Sequence, residues 1–166
     1  MTVSSRNRAV SADANTLDKN TFERRPDESV ETGSNVEAPG GTERIALAED
    51  DPIMRKAVQH LLEDLGYQVE AYPSGTEVLA AMSSDCPPIA LLITDHEMPG
   101  LTGYDLAEQF RVEYPAVCVL LVSGHSKESV FPNGKPNNWP PFLRKPYSVR
   151  TLARTLRGVL DGVAPE

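Results

Sequence analysis

The stretch that most restricts the fold is Ile89-Ala90-Leu91-Leu92-Ile93, an uncharged run that stops at Thr94-Asp95. A strand with one wet face alternates apolar and polar side chains. An unbroken apolar run is how a strand buried on both faces reads. Val117-Cys118-Val119-Leu120-Leu121-Val122 is a second run of this kind. Such strands need helices packed above and below them, and the remaining sequence must provide those helices.

From Glu43 onward it does. Arg44-Ile45-Ala46-Leu47-Ala48 reads as a short apolar strand. Asp51 sits where an N-cap belongs, with Pro52 at the first helical position. Ile53, Ala57, Leu61, Leu62 and Leu65 follow at helical spacing, and Gly66 closes the helix. Tyr67 to Tyr72 alternates like a strand, and Ser74-Gly75-Thr76-Glu77 is a capping box for a helix running to Met82. Thr102 can cap a third helix, with Leu106 and Phe110 facing inward. Phe142-Leu143-Arg144 is a short strand. Ser148 caps a last helix with Val149, Leu152, Ala153, Leu156, Val159 and Leu160 on one face. The spacing predicts an α/β domain over residues 43–162: a doubly wound, five-stranded parallel sheet with helices on both sides. Ligands of such sheets gather at the carboxyl ends of the strands.

Residues 1–42 differ. Their larger aliphatic and aromatic residues are few: Val3, Val10, Leu17, Phe22, Val30 and Val36. Burying so little apolar surface does not offset the entropy of ordering, so a disordered tail or linker is expected there. Ala38-Pro39-Gly40-Gly41 reads as its flexible joint, and residues 163–166 as a C-terminal tail. The net charge is −8, from 16 basic and 24 acidic residues. That balance argues against nucleic acid or an anionic membrane as a partner. Cys86 and Cys118 form no CxxC, which fits a reducing compartment. The longest apolar stretch, Ala116 to Val122, falls far short of the roughly 18 residues of a membrane helix. The N-terminus lacks the apolar core of a signal peptide. A cytoplasmic protein is expected.

Five polar residues fall at the carboxyl edge of the expected sheet. Glu49 and Asp50 follow the first strand, Asp95 ends the third, Ser123 follows the fourth and Lys145 the fifth. Three close carboxylates repel one another unless a cation lies among them. A hard cation such as Mg²⁺, with Mn²⁺ as a substitute, suits all-oxygen ligands. The metal and Lys145 would neutralise a transferring phosphoryl group while Ser123 donates a hydrogen bond to it. A carboxylate so placed can act as nucleophile, and Asp95, on the central strand, is the best candidate. Asp51 is read as a helix cap and His60 as a helix-surface residue. His96 and His125 flank the site. Trp139, among prolines, reads as either a loop anchor or a docking residue.

With these residues in place, the sequence resembles the response-regulator receivers of two-component systems, from Arg44 to Leu160. The resemblance rests on Leu47-Ala48-Glu49-Asp50-Asp51-Pro52, on Leu92 to Gly103 with its Asp95-His96-Glu97-Met98-Pro99-Gly100, on Val122-Ser123-Gly124 and on Leu143-Arg144-Lys145-Pro146-Tyr147. It implies a flavodoxin-like (βα)5 fold with Asp95 as phosphoacceptor. Asp50 and Asp95 would be direct metal ligands, the Glu97 backbone carbonyl a third, and Glu49 would serve the same metal. Lys145 would contact the phosphate. Ser123 and Phe142 would be the switch residues, and the Lys145-Pro146 bond would be cis. The phosphodonor would be a sensor histidine kinase or a histidine phosphotransfer protein. The output would be a changed protein-protein contact, with no external substrate turned over.

The sequence departs from that family after Ser123, where relatives carry a fourth helix and read out phosphorylation. Pro132, Pro136, Pro140 and Pro141 each oppose helix by about 3 kcal/mol in an interior, so an irregular or shortened fourth helix is expected, confined between Ser126 and Phe131. The initial Met, the want of kinase motifs and the short stretch after Leu160 favour a single-domain regulator over the receiver of a hybrid histidine kinase. A rival of another class is a Mg²⁺-dependent phosphohydrolase of the haloacid-dehalogenase type. It would need a second Asp two residues after the nucleophile, where this chain has Glu97.

Overall fold

The computed structural model describes residues 38–82, 88–130 and 140–163. Strands and helices alternate throughout: β1 (Arg44–Ala48), α1 (Pro52–Asp64), β2 (Gln68–Tyr72), α2 (Gly75–Met82), β3 (Leu91–Asp95), α3 (Gly103–Glu113), β4 (Cys118–Ser123), α4 (Lys127–Val130), β5 (Phe142–Arg144) and α5 (Val149–Leu160). The five strands are parallel, in the order β2-β1-β3-β4-β5. The chain therefore winds outward in opposite directions from β1 and from β3. The crevice of such a sheet opens at that switch point, beyond the carboxyl ends of the two strands.

Strand alternation divides the core into two layers. Ile45, Leu47, Leu91, Ile93, Leu120 and Val122 face Val58 and Leu62 of α1 and Leu152, Leu156 and Val159 of α5. Ala46, Ala48 and Leu92 face the other way, against Val78 of α2 and Leu106 and Phe110 of α3. All five residues of β3 are buried, as its unbroken apolar run requires.

The helix starts follow the sequence signals. The Asp51 carboxylate accepts from the amides of Ile53 (2.7 Å) and Met54 (2.9 Å), Thr102 Oγ1 from Asp105 (3.2 Å), and Ser148 Oγ from Thr151 (3.1 Å). Asp51→Ala is expected to cost about 1 kcal/mol, the usual worth of an N-cap. A urea midpoint equal to wild type would show that the cap contributes nothing.

Several expectations need correction. Ile53 is 78% exposed and Ala57 is exposed, so the inner face of α1 is carried by Val58 and Leu62. Val149, expected on the inner face of α5, is 47% exposed. Ile53 and Val149 share a cause: a helix that begins just past a strand's carboxyl end overhangs the sheet with its first turn. Tyr67 belongs to the turn before β2 rather than to the strand. Its amide donates to Leu62 O (3.1 Å), after Gly66 has taken a φ of 96°. Gly41, read as part of a flexible joint, is pinned to the end of α1 by its amide bond to Leu65 O (3.1 Å). Of the fourth helix, the described residues hold one turn, Lys127–Val130. Residues 131–139, on which most of the expected irregular loop and Trp139 fall, lie outside the described residues. So do Cys86, most of the N-terminal tail and residues 164–166.

Candidate functional site

Each candidate side chain owes its place to a strand end. Glu49 directly follows β1, where its amide donates to Tyr72 O (3.1 Å) and holds the chain against β2. Asp95 is the last residue of β3, opposite Val122 of β4. Ser123 ends β4 and pairs with Arg144 of β5, so Lys145 lies one step beyond it. The Lys145 amide donates to Ser123 O (2.8 Å), and the Lys145-Pro146 bond that follows is cis.

The side chains of Lys145, Glu49, Asp50 and Asp95 come together. Lys145 Nζ donates to Glu49 Oε2 at 2.8 Å and to Asp95 Oδ2 at 2.7 Å. Carboxylate oxygens of Glu49, Asp50 and Asp95 lie within 4.8 Å of one another. Glu49 and Asp95 are buried, at 4% and 8% exposure, while Asp50 is open to solvent. Asp95 Oδ1 accepts from the Glu97 amide at 3.3 Å, which fixes the carboxylate's second oxygen. Ser123 is fully buried, and its hydroxyl oxygen accepts from the His125 amide at 3.0 Å. Phe142, on β5 opposite Leu121, is half-buried.

Burial raises the Glu49 carboxyl above its ordinary 4.5; the Lys145 hydrogen bond pulls it back, and the negative charge of Asp95 raises it further. A carboxyl raised on folding supports the fold fully below its unfolded value and loses that contribution as pH climbs through the folded one. The ionised form of Glu49 is therefore one that the fold tolerates rather than favours. For Lys145, burial pushes the ammonium down, but its bonds to Asp95 and Glu49 outweigh that and hold it above its ordinary value. One ammonium thus serves two buried carboxylates, and the third stands unneutralised at the mouth. An all-oxygen set of this kind suits a hard divalent cation, and the geometry leaves room for one beside Asp50.

Of the flanking histidines, His125 Nδ1 is in contact with the Glu97 carboxylate, which ties the loop after β3 to the loop after β4. The Glu97 side chain is thereby turned to His125. His96 Nδ1 is buried without a hydrogen-bond partner among the described residues. His60 is exposed on α1, as expected.

Two residues escaped the sequence reading. Thr94 is completely buried and donates from Oγ1 to Asp95 O at 3.0 Å. Arg55, in the first turn of α1, donates from Nη1 to Glu49 O (2.7 Å) and Asp50 O (3.1 Å). The available signal for Arg55 was its spacing: a long basic side chain one helical turn past an acid pair can fold back over it.

The family profile for the response regulator receiver domain matches residues 45–157. The chain is 32% identical over 113 residues to the C4-dicarboxylate transport transcriptional regulatory protein DctD of Rhizobium meliloti, covering 68% of this chain and 24% of that protein. It is 29% identical over 117 residues to the response regulator receiver protein CpdR of Brucella abortus, covering 70% of this chain and 96% of that one. Among solved structures, the chemotaxis response regulator CheY4 of Vibrio cholerae superposes with a TM-score of 0.62 at 28% identity, covering 72% of this chain and 99% of that chain. The chain thus spans about a quarter of DctD's length and nearly all of CpdR's.

Proposed function

The chain belongs to the response-regulator receiver family, and on that premise we propose that it is a phosphorylation switch with Asp95 as its phosphoacceptor. The observation that carries this reading is the Lys145 ammonium, bonded at once to Asp95 and Glu49, beside a third carboxylate on Asp50. In the transfer, an Asp95 carboxylate oxygen bonds to phosphorus as the P–N bond of a phosphohistidine breaks. The imidazole nitrogen keeps the electron pair and takes up a proton. Lys145 passes from the Asp95 carboxylate to a phosphoryl oxygen, and the Ser123 hydroxyl turns to donate to another. Glu49, Asp50, Asp95 and the Glu97 backbone carbonyl would hold a divalent cation, Mg²⁺ or Mn²⁺. When bound, that cation neutralises charge on the phosphoryl oxygens.

The donor is a sensor histidine kinase or a histidine phosphotransfer protein. An apolar groove of about 520 Å³ is lined by Met54, Ala57 and Leu61 of α1 and by Pro146 and Tyr147, and it borders Lys145. With Ile53 and Met54 exposed beside it, this groove is where a donor could seat apolar side chains while presenting its phosphohistidine to Asp95. The readout is a changed contact with a downstream protein, with Ser123 and Phe142 as the moving parts. The domain speeds its own phosphorylation and dephosphorylation and has no external substrate. Among the described residues no helix is long and apolar enough to cross a membrane, which supports a cytoplasmic setting.

Incubation with acetyl phosphate and Mg²⁺ tests this reading. A switch gains one phosphoryl group per chain, and excess chelator prevents it. Continuous release of phosphate over many turnovers would instead mark a hydrolase. The acid cluster also predicts a stability effect. Asp50→Ala removes one of three mutually repelling carboxylates, so its thermal midpoint without metal is expected to equal or exceed that of wild type. A clear loss of stability would mean that Asp50 supports the fold directly.

A further inference from the structure

Glu49 and Asp95 are each held through their carboxylates by Lys145. Asp50 is placed differently. Its side chain is exposed, and the described residues give its carboxylate no hydrogen bond. What places Asp50 is its backbone. The Asp51 carboxylate turns the other way, its Oδ1 accepting from the amides of Ile53 and Met54 at the start of α1. The remaining tie is Arg55, whose Nη1 reaches the carbonyls of both Glu49 and Asp50. Arg55 is itself anchored, since its amide donates to Asp51 O at 2.8 Å in the first turn of α1.

We propose that Arg55 is a positioning residue for the cation: its guanidinium fixes the backbone of the acid pair and so the direction in which Asp50 presents its carboxylate. The inference rests on the reading of Glu49, Asp50 and Asp95 as a cation site. Two carbonyls bound by one planar donor hold two successive peptide units in one orientation. The Asp50 side chain then needs only its own rotamer to meet the metal. Without that tie, the Glu49 and Asp50 carbonyls lose their shared anchor, and the ion bears the entropic cost of orienting the Asp50 peptide unit.

The sign of the effect separates positioning from charge. A guanidinium beside a cation repels it, so if Arg55 acted through its charge alone, removing it would tighten Mg²⁺ binding. Positioning predicts the reverse. The experiment is a Mg²⁺ titration of the full chain followed by backbone amide chemical shifts, for wild type, Arg55→Met, Arg55→Lys and Asp50→Asn. Thermal midpoints are measured alongside. Arg55→Met keeps the stem and loses the donors, and its Mg²⁺ dissociation constant is expected to rise about tenfold, at the low end for residues that orient metal ligands. Arg55→Lys keeps the charge but loses the reach and planarity of the Nη1 donor, and a smaller rise of about threefold is expected. Arg55→Met binding Mg²⁺ as tightly as wild type, or more tightly, would overturn the proposal. If Arg55→Met does not fold, Arg55→Lys with wild-type affinity overturns it instead. A wild-type chain with no saturable Mg²⁺ response, or Asp50→Asn responding like wild type, would sink the cation reading itself. That failure is distinct from a wild type that binds and an Arg55 series that does not change.

Discussion

Asp95→Asn is expected to abolish covalent labelling by acetyl phosphate. The substitution keeps the shape of the side chain at the end of β3, where Asp95 is 8% exposed among fully packed neighbours. It replaces an anionic oxygen with a neutral amide, which is a far weaker nucleophile. Lys145 retains Glu49 as a partner, at 2.8 Å, so the variant is expected to fold. Intact-mass measurement after incubation with the phosphodonor and Mg²⁺ should find one phosphoryl group on wild type and none on the variant. Labelling of the variant to the wild-type extent would transfer the acceptor role elsewhere. Peptide mapping would then locate the acceptor, with the Ser123 hydroxyl as the first residue to test.

Gly103→Ala should be the most damaging small substitution near the site. Gly103 opens α3 beneath the acceptor loop, with its amide bonded to His96 O at 3.1 Å. A Cβ there would lie 2.1 Å from Asp95 O and 2.9 Å from His96 Cα. Both are main-chain atoms, which no rotamer change can move aside. Relief requires α3 to back away from the end of β3, which opens the packing of Leu106 and Phe110 against the sheet. A loss of roughly 3 kcal/mol is expected, at the upper end for overpacking because the obstacle is backbone. The Asp95 backbone would shift too, so the phosphorylation rate should fall with the stability. A chemical-denaturation midpoint close to wild type would show that the loop yields more easily than its contacts imply.

Much of this was legible in the sequence because the relevant signals are local. The run from Leu91 to Ile93 announced a strand covered on both faces, and Asp51, Thr102 and Ser148 announced helix starts. Once the strand ends were placed, parallel topology alone brought Glu49, Asp50, Asp95, Ser123 and Lys145 to one edge. What escaped the reading depends on three-dimensional context. Periodicity put Ile53 and Val149 on inner faces, since it records only the angle around a helix axis and not where the sheet beneath it stops. Arg55 offered only its spacing from the acid pair, because its ligands are carbonyls, which every residue carries and no motif displays. The contact of His125 with Glu97 joins two loops whose approach is set by the spacing of β3 and β4, not by any pattern along the chain.

The hydrogen bond between the Lys145 amide and the Ser123 carbonyl couples the main chains of the two proposed phosphate donors. A main-chain shift of either residue is therefore passed to the other's strand. Stiffness at this point means that a pull at the middle of the sheet is not absorbed there. It travels sideways by one strand spacing to β5, the outermost strand, which has no further neighbour among the described residues to brace it. At three residues, β5 is also the shortest strand and offers the least ladder to resist the load. Displacement generated at the centre should therefore emerge at the rim, where another molecule can feel it.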